Sequence, residues 1–106
     1  MSKFFIILFG TIVFGQSPVD LHKSAQSDLD AGKVSEAESG FNAAIQADPT
    51  FAPAYLGLAH TLMRKGDLKK TGNYLKEAIA INDYWKERVV DDLEFRDVQD
   101  AVKEAL

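Results

Sequence analysis

Residues 32–66, GKVSEAESGFNAAIQADPTFAPAYLGLAHTLMRKG, decide how the chain folds. A glycine opens and closes the stretch, and an Asp48-Pro49 pair divides it into two segments with helical spacing of apolar side chains. In the first segment Ala37, Phe41, Ala44 and Ile45 fall on one face; in the second, Tyr55, Leu58, Ala59 and Leu62 do. Gly32 and Gly66 stand where a helix can end in the left-handed conformation that only glycine adopts cheaply, and Pro49 cannot continue the helix before it. The offset between the two glycines, 66 − 32 = 34, is the period of the whole region.

That offset aligns Ala25 with Ala59, Ala44 with Ala78 and Ile45 with Ile79. It also pairs Leu21 with Tyr55, Leu29 with Met63, Val34 with Leu68, Phe41 with Leu75 and Asp48 with Asn82. Each unit therefore reads as helix, glycine turn, helix. Ser17-Pro18 supplies an N-cap and a proline at the first helical position, and Asp20 complements the positive end of the helix dipole. The spacing predicts a first helix ending near Ala31. Ser35 and Glu38 have the spacing of a capping box for the second, Pro53 opens the third, and Asp67 caps a fourth that buries Leu68, Leu75, Ala78 and Ile79.

These residues resemble the tetratricopeptide repeat family: Ala37-x-x-x-Phe41, Ala44 and Pro49 in one unit, then Tyr55-x-x-Leu58-Ala59-x-x-Leu62, Gly66-Asp67, Leu75 and Ala78 in the next. The resemblance covers about residues 18–83 and departs from the family pattern at Ser24, Asp28, Thr71 and Asp83. It implies an all-α fold: two helical-hairpin repeats, 18–51 and 52–83 within a repeat region 16–83, stacked as a right-handed superhelix. One further period from Gly66 lands on Asp100, so no full third repeat is expected. Residues 84–106 carry Trp85, Val89, Val90, Leu93, Phe95, Val98, Val102 and Leu106 at amphipathic spacing, with 8 acidic and 4 basic residues from Asp83 onward. This segment reads as a capping helix that covers the last apolar edge of the stack.

Residues 1–15 follow a different logic. One positive charge at Lys3 precedes the apolar run Phe4–Phe14, and Gly15 follows. This is the pattern of a secretory signal peptide cut between Gly15 and Gln16; the second reading is an uncleaved anchor, for which the run is short of the roughly 17 apolar residues a membrane span needs. The expected mature chain has 106 − 15 = 91 residues and a net charge of 11 − 16 = −5, with no membrane span, in a periplasmic or extracellular location.

Composition excludes several kinds of chemistry. The full chain carries a net charge of −4 and has no basic run, which disfavours nucleic acid as a partner. It has no cysteine and 2 histidines, and no phosphate loop, zinc signature or nucleophile motif, so no cofactor, metal site or enzymatic activity is expected. His22 and His60 lack a carboxylate companion in sequence, and Asp28 and Asp30 point to different faces of one helix. The remaining single glycines, Gly40, Gly57 and Gly72, read as packing positions.

The resemblance implies a binding groove lined by the first helix of each unit. In this sequence that means Val19, His22, Lys23, Gln26 and Leu29, then Leu56, Gly57, His60, Met63 and Arg64. Leu56 and Met63 lie seven apart on one helix face, off the Tyr55–Leu58–Leu62 stripe, which suggests an apolar surface for a peptide. The expected function is an exported, non-enzymatic interaction module for a polypeptide partner. The second reading is a self-assembling subunit of a larger envelope complex, a homo-oligomer in which the groove joins protomers.

Overall fold

The computed structural model describes residues 16–92, 95 and 96. The expected signal segment 1–15 and the C-terminal positions Leu93, Glu94, Val98, Val102 and Leu106 lie outside the described residues. Helices α1 (Pro18–Asp30), α2 (Val34–Ala47), α3 (Ala52–Lys65), α4 (Leu68–Ile81) and the short α5 (Trp85–Asp91) follow one another, with no strand among the described residues. Helices α1 and α2 form one hairpin and α3 and α4 a second; α3 packs on both helices of the first hairpin, and α5 on α4.

The period is visible in hydrogen bonds. Gly32 and Gly66 have φ of 82° and 84°, and they are the only residues with positive φ among those described. At the first turn, Gly32 N–H donates to the Leu29 carbonyl at 3.0 Å and Lys33 N–H to that of Asp28 at 2.8 Å. At the second, one period on, Gly66 donates to Met63 and Asp67 to Leu62, both at 3.0 Å. Each turn thereby satisfies carbonyls that the helix end leaves unpaired. The junctions after α2 and α4 match in the same way: Asp48 Oδ1 accepts from Thr50 N–H at 3.0 Å, and Asn82 Oδ1 from Tyr84 N–H at 2.9 Å.

Two of the expected N-caps form. Ser17 Oγ accepts from Asp20 N–H at 3.1 Å, and Asp67 Oδ1 accepts from Lys70 N–H at 3.1 Å. The expected Ser35–Glu38 capping box does not. The glycine turn feeds directly into α2 with Lys33 at the N-cap, one period before Asp67, so Ser35 is already inside the helix and caps nothing. Leu68 also departs from expectation: as the first residue of α4 it is 44% exposed.

Small residues set how closely the helices approach. Ala25, Ala37, Ala44, Ala59 and Ala78 are fully buried, and the large side chains Phe41 and Leu75 fill the space between them. A methyl group added at Gly40 would lie 2.8 Å from the Ala25 Cβ. One added at Gly57 would meet the Phe41 ring at 2.2 Å. Gly57 is thus the point where α3 crosses α2, and it faces the first hairpin, not a groove. Apolar burial divides into two clusters. Ala25, Leu29, Ala37, Phe41, Leu58 and Leu62 join the hairpins, with Ile45 and Tyr74 against them. Ala59, Leu75, Ile79, Val89 and Phe95 join the second hairpin to the C-terminal segment. Val89 stands one period after Tyr55, so α5 repeats the first-helix position of a third unit even though the glycine turn does not recur.

Candidate functional site

The first helices α1 and α3 carry the residues expected to form a groove, and the structure separates them into three groups. The first remains available. Val19 is 46% exposed, Lys23 is exposed, and Gln26, half-buried, donates from Nε2 to Asp30 Oδ1 at 3.0 Å on the helix surface. Spaced at i, i+4 and i+7, the three share one face of α1.

The second group serves the fold. Leu29 is 1% exposed and belongs to the core between the hairpins, which corrects its expected place on a groove wall. The arginine expected to orient a partner, Arg64, donates to the Leu29 carbonyl at 3.0 Å. It sets a positive charge at the C-terminal end of α1, where the helix dipole favours one. His22 is half-buried, its ring 5.5 Å from that of Phe41 and 5.7 Å from that of Phe51. It hydrogen-bonds the Pro53 backbone, which offers only its carbonyl. Burial lowers the His22 pKa, and that hydrogen bond offsets only part of the effect. A neutral imidazole therefore pins the start of α3 to α1.

The third group turns toward the C-terminal segment. Leu56 and Met63 are half-buried and pack against the cluster containing Val89 and Phe95. The separation of this pair from the Tyr55–Leu58–Leu62 stripe is real, but both side chains pack on this second cluster, and Leu56 lines a cleft with α5 and Phe95. His60 lies between them, its ring 4.2 Å from the Phe95 ring and its Nε2 3.3 Å from Asp92 Oδ2.

Between α3 and α5 this leaves a cleft of about 380 Å³. Leu56, Val89 and Phe95 form its apolar side, and His60, Trp85, Arg88, Asp91 and Asp92 complete the lining. Sequence reasoning reached only Leu56 and His60 of these residues. The signal for the rest was present, since the step of one period from Tyr55 to Val89 marks α5 as the start of another unit. Among the described residues no three His, Cys, Asp or Glu side chains come together as metal ligands. None of the described helices is long and apolar enough to cross a membrane.

A second hollow, of about 420 Å³, opens beside Tyr55, Lys70, Asn73, Tyr74 and Glu77. The Tyr55 hydroxyl donates to the Pro49 carbonyl at 2.9 Å, which ties the inter-repeat loop to α3. Burial, and after it the charges of Glu77, Tyr74 and Asp48, hold the Tyr55 hydroxyl above its usual pKa.

With the helix order, the twin glycine turns and the alanine-lined crossings in place, comparison with known proteins adds one match. A family model described as tetratricopeptide repeat fits residues 28–83, more than half of the chain. The chain belongs to the tetratricopeptide repeat family. No curated protein and no solved structure matches it. Tetratricopeptide repeats are protein–protein interaction modules and in general not enzymes. The matched region takes in both glycine turns and all of α2, α3 and α4, so the membership rests on the same crossings that shape the face of α1 and α3.

Proposed function

We propose that this tetratricopeptide protein is an exported, non-enzymatic scaffold that holds a polypeptide on the face of its first helices. The observation that carries this reading is the side-chain set the hairpins do not use. Val19 is exposed on α1 beside Lys23 and Gln26, while Leu56 and His60 of α3 line an open cleft. Apolar groups interleaved with hydrogen-bonding ones suit a peptide, whose side chains need burial and whose backbone needs partners. Export is supported by Lys3, the run Phe4–Phe14 and Gly15. The working chain on this reading starts at Gln16 and lies outside the cytoplasm.

The test is capture from the exported fraction of the native host with the tagged chain. Val19→Asp and Lys23→Glu are compared with Lys76→Glu, an exposed residue of α4. A partner retained by wild type and Lys76→Glu but lost with both α1 variants, at unchanged helicity, is the expected result. Recovery of the chain alone, with a mass that rises with concentration, would assign the face to self-assembly instead. N-terminal sequencing of the exported protein tests the cut before Gln16.

A further inference from the structure

The cleft between α3 and α5 has a charge arrangement that narrows what it can hold. Its accessible apolar surface is that of the half-buried Leu56 and Trp85, backed by Val89 and Phe95, each 1% exposed, in a volume of about 380 Å³, at the small end of the range for ligand pockets, roughly 300–1,000 Å³. Three charged side chains of α5 and its end line it: Arg88, Asp91 and Asp92. Among the described residues no salt bridge joins Arg88 to Asp91 or Asp92. The Arg88 guanidinium carbon lies 5.9 Å from the centre of the Tyr84 ring and 5.7 Å from that of Trp85, and those two rings meet edge to face. The arginine is thus drawn onto aromatic faces, where cation–π attraction holds it. Asp92 faces His60. Asp91 is exposed and makes no salt bridge or hydrogen bond among the described residues.

We infer that the cleft takes one large apolar side chain of a polypeptide, with a lysine or arginine beside it meeting Asp91. The inference rests on the scaffold reading above and gives its partner a chemistry. An apolar anchor completes the half-buried Leu56 and Trp85 surface, and a neighbouring cation supplies the countercharge that Arg88, committed to the two rings, does not. An acidic segment would bring its charge against Asp91 and Asp92 on a chain that is already net negative. The exposed Tyr84 (61%) extends the same surface, and Tyr, Trp and Arg are the residue types that dominate binding energy at interfaces.

Trp85 is the chain's single tryptophan, so its emission reports directly on the cleft. The full chain is titrated with three blocked peptides in a Gly/Ser background: one with phenylalanine flanked by lysines, one with the same phenylalanine flanked by glutamates, and one with lysines around a serine. The lysine–phenylalanine peptide is expected to shift Trp85 emission saturably and to bind more weakly as salt is raised. The glutamate version should bind at least about tenfold more weakly, and Asp91→Asn, at unchanged helicity, should weaken the lysine peptide about threefold to fivefold, the upper part of the range of one solvent-exposed ion pair. Equal binding of the two phenylalanine peptides, or no effect of Asp91→Asn, would overturn the charge assignment and leave the scaffold reading standing. Emission unmoved by all three peptides would overturn the cleft as a site, and the capture experiment would then judge the scaffold by itself. Emission that changes when the chain alone is diluted would also overturn it, by giving the cleft to a second copy.

Discussion

Gly57→Ala tests the architecture where it is tightest. In an exposed helix this change stabilises by about 1 kcal/mol, because alanine loses less backbone freedom than glycine. Here the added methyl would lie 2.2, 2.4 and 2.7 Å from three atoms of the Phe41 ring. Contacts that short cannot persist, so α3 must lift from α2 or the ring must leave its rotamer. The ring is fully buried and α2 is held by Ala37 and Ala44, also fully buried, so neither movement is easy. Overpacking of this kind costs about 1–3 kcal/mol, and with three ring atoms in the way the upper part of that range applies. The net expectation after the helix gain is a loss of about 1–2 kcal/mol, or about 5–15 °C in melting temperature for a domain of this size. Circular dichroism during thermal and urea unfolding measures it. Phe41→Leu supplies the control: alone it destabilises by opening space, but combined with Gly57→Ala it should cost less than the sum, with a coupling of about 1 kcal/mol. A higher melting temperature for Gly57→Ala, or strict additivity with Phe41→Leu, would refute the claim that this glycine exists to let α3 cross α2.

Three further outcomes follow from the same geometry. Arg64→Met should lower the urea midpoint by the equivalent of about 1 kcal/mol by removing the donor to the Leu29 carbonyl, and Arg64→Lys should recover part of it; no change would return Arg64 to the pool of partner-binding residues. Asp67→Ala should cost about 1 kcal/mol through loss of its hydrogen bond to Lys70 N–H, whereas Ser35→Ala should be neutral because Ser35 caps nothing; equal effects would contradict the helix starts described above. Because burial lowers the His22 pKa, the unfolded chain binds a proton more readily than the folded one, so stability should fall as pH drops through the ordinary value of 6.5 and level off below the depressed one. Melting curves between pH 8 and 5 should show a shallower decline for His22→Gln, and an identical slope in both proteins would rule out this contribution.

Most of the hairpin architecture was legible in sequence because it is written in short-range chemistry. The glycines at 32 and 66 and the caps at 17 and 67 each act within a few residues, and each made the hydrogen bonds expected of it; the matching side-chain turns at Asp48 and Asn82, paired in sequence only by the period, act over the same short range. The alanines on the crossing faces were equally plain, since a small residue at a fixed period has few other uses. Ser35 misled because a capping box can be matched by spacing alone, while the helix start is set by the turn before it.

The site was legible only in part. Helical periodicity established that Leu56, His60 and Met63 share a face of α3, and that Val19, Lys23 and Gln26 share one of α1. It could not say which neighbour those faces would meet. That was decided by contacts between residues far apart in the chain: Arg64 reaching the Leu29 carbonyl 35 residues away, His60 stacking on Phe95, and Phe41 closing over Gly57. The sequence by itself determined the repeat, its turns and its small-residue crossings, because those follow from local backbone preferences and period. Only the tertiary structure decided that Leu29, Arg64 and His22 hold the hairpins together while Leu56 and His60 open onto a cleft with Trp85 and Asp91, because burial depends on how whole helices pack.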